Sequence, residues 1–170
     1  MKSILVGILL ASPAVAQDVS FSFSFSFSIS GTEACLAGAV GVERLVCIGV
    51  SANACMETTD GSSTVGMGFC LGRELGFWDA RLNATYRTLR HVERDLMAEA
   101  TKLELRVPDS EAALRDMQRS WMGFRDSVCA YEFSTWGGGS GGGPASAACL
   151  MELTAQQSLM LEDRLEARRR

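Results

Sequence analysis

Along most of this chain apolar residues return at steps of three and four, the spacing that gathers side chains on one face of a helix. From about Asp109 to about Tyr131 they are Leu114, Met117, Trp121, Phe124, Val128 and Tyr131, which predicts a helix with a core-facing stripe. A longer run, Cys70 to about Leu105, carries Leu71, Leu75, Trp78, Leu82, Tyr86, Leu89, Leu96 and Leu103 on its stripe. Arg87, Arg90, Glu93, Arg94 and Asp95 form its charged outer face, where pairs three or four residues apart add a few tenths of a kcal/mol each. A third run, about Ala145 to Arg168, turns Leu150, Leu153, Leu161 and Leu165 inward and ends in Arg168, Arg169 and Arg170, charges that suit a helix C-terminus. Pro108 separates the two earlier helices, and Asp109 or Ser110 is placed to cap the next one. Between Glu33 and about Ser51, two short helices are predicted around a turn at Gly38 to Gly41, and Thr58 to Gly68 is predicted as a loop. The pattern is that of an all-α bundle: three main helices with a short N-terminal helical cap.

Two segments depart from the helical period. Val19 to Ser30 alternates strictly, with Phe21, Phe23, Phe25 and Phe27 on one face of an extended chain. A lone strand is unstable, so residues 17–32 are expected to form a flexible Phe/Ser-rich leader, with docking on a partner or a sheet edge as the other possibility. Residues 1–16 hold one lysine, an apolar run from Ile4 to Ala11 and an Ala14-Val15-Ala16 ending, the pattern of a secretory signal peptide. The run is too short to span a bilayer, and no Leu-x-x-Cys lipoprotein box follows it, so no membrane anchor is expected. Residues 33–170 then form a single helical domain, and the length asks for one core.

A periplasmic or secreted destination changes how the six cysteines are read. An even count in an oxidising compartment favours three disulfides. Of the fifteen possible pairings the sequential one is favoured, Cys35–Cys47, Cys55–Cys70 and Cys129–Cys149, because each closes a short loop that contains glycine or is flanked by helix. Metal ligation has little to work with: there is no Cys-x-x-Cys pair, and the single histidine, His91, has no cysteine near it in sequence. Removing residues 1–16 takes away Lys2 and leaves 15 basic against 20 acidic side chains, a formal charge of −5. That balance argues against a nucleic-acid partner, which would need a basic face, and is compatible with attraction to a cationic protein.

Catalytic patterns are weak throughout. His91 stands among Arg90, Glu93 and Arg94 on the charged face, a solvated position rather than that of a general base. Glu74, Asp79, Asp126 and Glu132 supply carboxylates, but no spacing singles out a pair for glycoside hydrolysis. The glycine run Gly137 to Gly143 lacks the Gly-Lys-Ser/Thr ending of a phosphate loop. No catalytic residue, cofactor or metal is therefore expected. Arg125 adjoins an apolar stripe and needs a partner, expected to be Asp79 or Glu74 on the preceding helix. Asn83 and Tyr86 are expected to be buried hydrogen-bonding positions between helices.

Several motifs, in order, resemble the N-terminal domain of the LprI-like lysozyme-inhibitor family. They are the pair Cys55 and Cys70; then Asp79, Leu82, Asn83 and Tyr86; then Gln118, Trp121, Arg125, Asp126 and Cys129; then Cys149, Leu150, Leu153 and Thr154, so that the likeness spans about residues 55–161. Two departures stand out: Gln157 occupies a position where that family usually has arginine, and the interval between Cys55 and Cys70 is longer than usual. The resemblance implies a non-enzymatic binding protein of the cell envelope that would occlude a basic muramidase. Trp136 and Ser140, on the glycine-rich loop between Cys129 and Cys149, are the candidate partner contacts. The alternative is a periplasmic structural or interaction module with another protein partner, docked through the Phe/Ser leader.

Overall fold

A computed structural model describes residues 25–170. The expected signal peptide and residues 17–24 of the expected leader lie outside the described residues. Among the described residues five α-helices and one 3-10 segment make up the fold: α1 (Ser30–Gly38), the 3-10 segment Gly41–Cys47, α2 (Val50–Met56), α3 (Thr64–Lys102), α4 (Ser110–Ser134) and α5 (Gly142–Arg169). No strand occurs among the described residues. The last three helices form an up-down-up bundle, and α1, the 3-10 segment and α2 cap the end where α3 begins.

The central helix α3 starts earlier than its sequence suggests. Ser63 accepts a hydrogen bond from the Gly66 N–H at 3.0 Å, so the helix is capped inside the stretch expected to be loop. Packing makes that start possible. A Cβ on Gly66 would lie 2.1 Å from the Asp60 carbonyl oxygen, so the preceding turn can fold back only onto a glycine. Gly66→Ala is expected to lower stability by about 1–3 kcal/mol, because backbone must move; urea unfolding measures it. At the other junction Asp109 is the cap, accepting from the Ala112 N–H at 2.9 Å.

One continuous face of α3 meets α5, and the core falls into two clusters along it. Near the cap, Leu71 and Trp78 pack with Ala52, Met151, Ala155 and Leu159. Further along, Leu82 and Leu89 pack with Leu161 and Leu165, with Tyr86, Leu114, Met117 and Trp121 at the edges. Arg81 and Arg44 both reach Glu162, Arg44 Nη1 and Arg81 Nη2 each at 3.0 Å, which ties the 3-10 segment and α3 to α5 between the clusters. Beyond Glu93, which pairs with Arg168 at 2.7 Å, α5 runs out. Leu96 and Leu103, expected in the core, are therefore exposed at 44% and 60%.

Expectations for α4 need a similar correction. Its inward line runs through Leu114, Gln118, Trp121, Arg125, Cys129 and Glu132, of which Gln118 and Cys129 are buried and the others half-buried, while Phe124 and Tyr131 point outward. The N-terminal segment also differs from a free leader. Phe25 stacks on Phe69 with ring centroids 5.0 Å apart, Phe27 lies under the Arg73 guanidinium at 6.0 Å, and Ser30 to Thr32 already belong to α1. Two residues of extended chain advance about as far as one helical turn, so alternate aromatics can follow α3.

Candidate functional site

Three sets of interactions build the surface at the capped end. The first centres on Glu74, which lies on the same face of α3 as Leu71 and Trp78 and is fully buried. Its Oε1 accepts from the Gly49 N–H (2.8 Å), the Thr32 hydroxyl (3.0 Å) and the Trp78 indole N–H (3.1 Å), and its Oε2 from the Ala52 N–H (2.7 Å). Two of these donors are backbone groups at the start of α2, where N–H groups lack helical partners. Thr32 and Ser51 close the network: the Thr32 N–H donates to the Ser51 hydroxyl, and the Ser51 N–H to the Thr32 hydroxyl. A single carboxyl group thus seats the cap on α3; Cys35–Cys47 joins α1 to the 3-10 segment within the cap, and Cys55–Cys70 fastens α2 to α3.

The second set is the antiparallel seam of α4 and α5. The Gln157 side-chain amide donates to the Gln118 side-chain oxygen at 2.9 Å, Arg125 Nη1 donates to the Thr154 hydroxyl at 3.4 Å, and Cys129 is bonded to Cys149. Arg125 does not reach Asp79 or Glu74. Its guanidinium pairs with neighbouring Asp126 (Nε to Oδ1, 2.9 Å) and lies 5.1 Å from the centroid of the Trp121 ring. A long side chain can bend along the helix surface to meet its neighbour, which a comparison of Cβ directions misses. Asn83 is exposed and donates to Asp79 at 2.9 Å; it is not a buried link between helices. Tyr86 is half-buried at the edge of the second cluster.

The seam leads into the third feature, the loop between α4 and α5. Gly137 and Gly138 have φ of 56° and 86°, which turns the chain back so that the Gly139 N–H donates to the Trp136 carbonyl at 2.8 Å. The Trp136 ring lies flat against Gly141, where an added Cβ would come within 2.2 Å of it. About half of Trp136 remains exposed (48%). Trp136 and Ser140 lie on the rim of a groove of about 950 Å³ whose walls include Leu45, Ile48, Met56, Met67, Leu71 and Met151, with Asn53, Glu152 and Gln156 as polar points. A partly open, mostly apolar groove with a few polar groups is suited to binding.

Residues considered for catalysis are scattered. His91 is exposed against Arg94, Asp79 and Asp126 are engaged as described, and both carboxyl oxygens of the buried Glu74 accept hydrogen bonds from the cap and Trp78. Among the described residues no group of three or more His, Cys, Asp or Glu could hold a metal ion.

The model of the family described as lysozyme inhibitor LprI matches residues 55–161. The chain belongs to that family. An uncharacterized protein of Rhizobium meliloti (strain 1021) is 28% identical over 134 residues, covering 77% of this chain and 96% of that relative. No solved structure matches the chain.

For this LprI-family chain the matched region starts at Cys55 and so includes α3, α4 and most of α5, while the cap residues before it lie outside. The motif residues Gln118, Arg125, Cys129, Cys149 and Thr154 converge on the α4–α5 seam that carries the loop. Gln157, at the position of the usual arginine, makes a neutral amide pair with Gln118. Three disulfides and family membership fit an extracytoplasmic location, and no described helix is long and apolar enough to cross a membrane. Sequence reasoning overlooked Glu162 and the Thr32–Ser51 pair. Glu74 carried a visible signal, a carboxyl group on an apolar stripe.

Proposed function

We propose that this protein binds a lysozyme and inhibits it, with the Trp136 to Pro144 loop entering or covering the enzyme's sugar cleft. The observation that carries the reading is the half-exposed Trp136, held against Gly141 on a loop whose two stems are joined by Cys129–Cys149. A large, rigid aromatic presented from a tethered loop loses little conformational freedom on binding, which is the usual character of an interface anchor. Ser140 stands beside it as a small polar contact, and the groove next to the loop can receive apolar side chains from the partner. The acidic balance of the chain would speed encounter with a basic muramidase and would make association salt-sensitive. Occlusion needs no catalytic group, so the chain acts as a binder and not as an enzyme.

Trp136→Ala tests the anchor. Loss of a central aromatic contact costs about 2 kcal/mol of binding, so the inhibition constant should rise roughly thirtyfold while the urea midpoint stays near that of the wild type. Equal inhibition by the variant and the parent would remove Trp136 from the interface.

A further inference from the structure

At the end of the bundle away from the Trp136 loop, α3, the start of α4 and the last turns of α5 surround a cavity of about 620 Å³. Leu89, Leu114, Met117, Met160 and Leu161 give it apolar walls, and Glu93 is set among them. Glu93 is only 5% exposed. One of its carboxyl oxygens, Oε1, accepts from Arg168 Nε at 2.7 Å; the other, Oε2, is buried and has no hydrogen-bond partner among the described residues. A buried acceptor left unpaired is unfavourable, and native structures keep few of them. Glu74, the other carboxyl group buried on α3, has both oxygens satisfied.

The rim of the cavity favours an anion. Arg164, exposed on α5, lines it and has no acidic partner among the described residues. The cavity also reaches Ser110, the first residue of α4, where the helix dipole attracts negative charge. Glu111 beside it is taken up by Arg90 and Arg115. Arg168 already balances the charge of Glu93, so what Oε2 lacks is a neutral donor and not a second cation. We propose that this cavity binds an N-acylated apolar amino acid, a chemistry shared with the C-terminal residue of an apolar peptide. The ligand's amide N–H donates to Glu93 Oε2, its carboxylate pairs with Arg164, and its side chain lies against the apolar walls. Met117, Met160 and Arg168 are unbranched and flexible, so the wall can shift to bring the N–H to the buried oxygen.

Titration with N-acetyl-L-leucine, followed by backbone amide chemical shifts of oxidised protein recovered from expression of the full chain, tests the site. Saturable shifts centred on Ala113, Leu114 and Ala167 are expected at millimolar concentration. Two related probes separate the contacts without altering the protein. N-acetyl-L-leucinamide lacks the carboxylate, isocaproate lacks the N–H, and each should bind roughly tenfold more weakly. Arg164→Ala, at an exposed position, should leave the urea midpoint in place and make N-acetyl-L-leucine bind no better than its amide. Acetyl-Ala-Ala-Leu binding at least as tightly as N-acetyl-L-leucine identifies peptide C-termini as the source of the ligand, and weaker binding identifies a free acylated amino acid. No saturable shifts, shifts centred on the groove beside Trp136, or affinity indifferent to Arg164→Ala overturn the proposal. Isocaproate binding as tightly as N-acetyl-L-leucine overturns it too, because Glu93 would then have no part in recognition.

Discussion

Glu74→Leu is expected to cost about 3–5 kcal/mol of folding stability, the largest effect of any single side chain here. Leucine has nearly the right size for a site already walled by Leu71 and Trp78, so cavity formation is a minor part of the cost. The penalty comes from four buried donors, the Gly49 and Ala52 N–H groups, the Thr32 hydroxyl and the Trp78 indole, left together without an acceptor. Glu74→Gln keeps one oxygen and turns an N–H₂ toward a donor, so a smaller loss of about 1–3 kcal/mol is expected. Urea denaturation with disulfides intact gives both values. If leucine were tolerated as well as glutamine, the carboxyl group would not be what seats the cap. Since Ile48, Asn53 and Met56 form part of the groove wall, the leucine variant should also loosen the groove.

Removing the Cys129–Cys149 bridge is expected to produce the second largest change. The bond joins residues 20 positions apart, and on the chain-entropy model such a closure stabilises the folded state by about 3 kcal/mol. Cys129→Ala/Cys149→Ala should therefore unfold at distinctly lower urea concentration. The same variant bears on recognition. With the stems untied, ordering the glycine-rich loop on a partner costs more, and inhibition should weaken by roughly tenfold even under conditions where the variant is folded. Unchanged inhibition by the folded variant would mean that the bridge serves stability alone.

How much could be read from the chain depended on whether the partners of a residue were local. Helix existence followed from periodicity, and the junction at Pro108–Asp109 followed from capping chemistry, because both depend on residues within a turn of one another. Phase was harder on α4. Apolar residues occur on both of its faces, so the three- and four-residue steps could not tell the half-buried Trp121 from the exposed Phe124 and Tyr131. On α3, Leu96 and Leu103 keep the period beyond the point where α5 stops, and only the relative lengths of the two helices expose them. The sequence offers Glu74 as a partner for Arg125, because its actual donors Thr32, Gly49 and Ala52 come from well before it in the chain. The Trp136 loop was recognisable from its glycines and flanking cysteines; the groove beside it was not, since its walls come from four separate elements.

Inhibition itself is the most direct measurement: turnover of a basic lysozyme titrated with the oxidised protein, at low and at moderate salt. Turnover falling to a floor near molar equivalence, with weaker inhibition at the higher salt, is the predicted result. Full turnover at several-fold molar excess, at both salts, would contradict it.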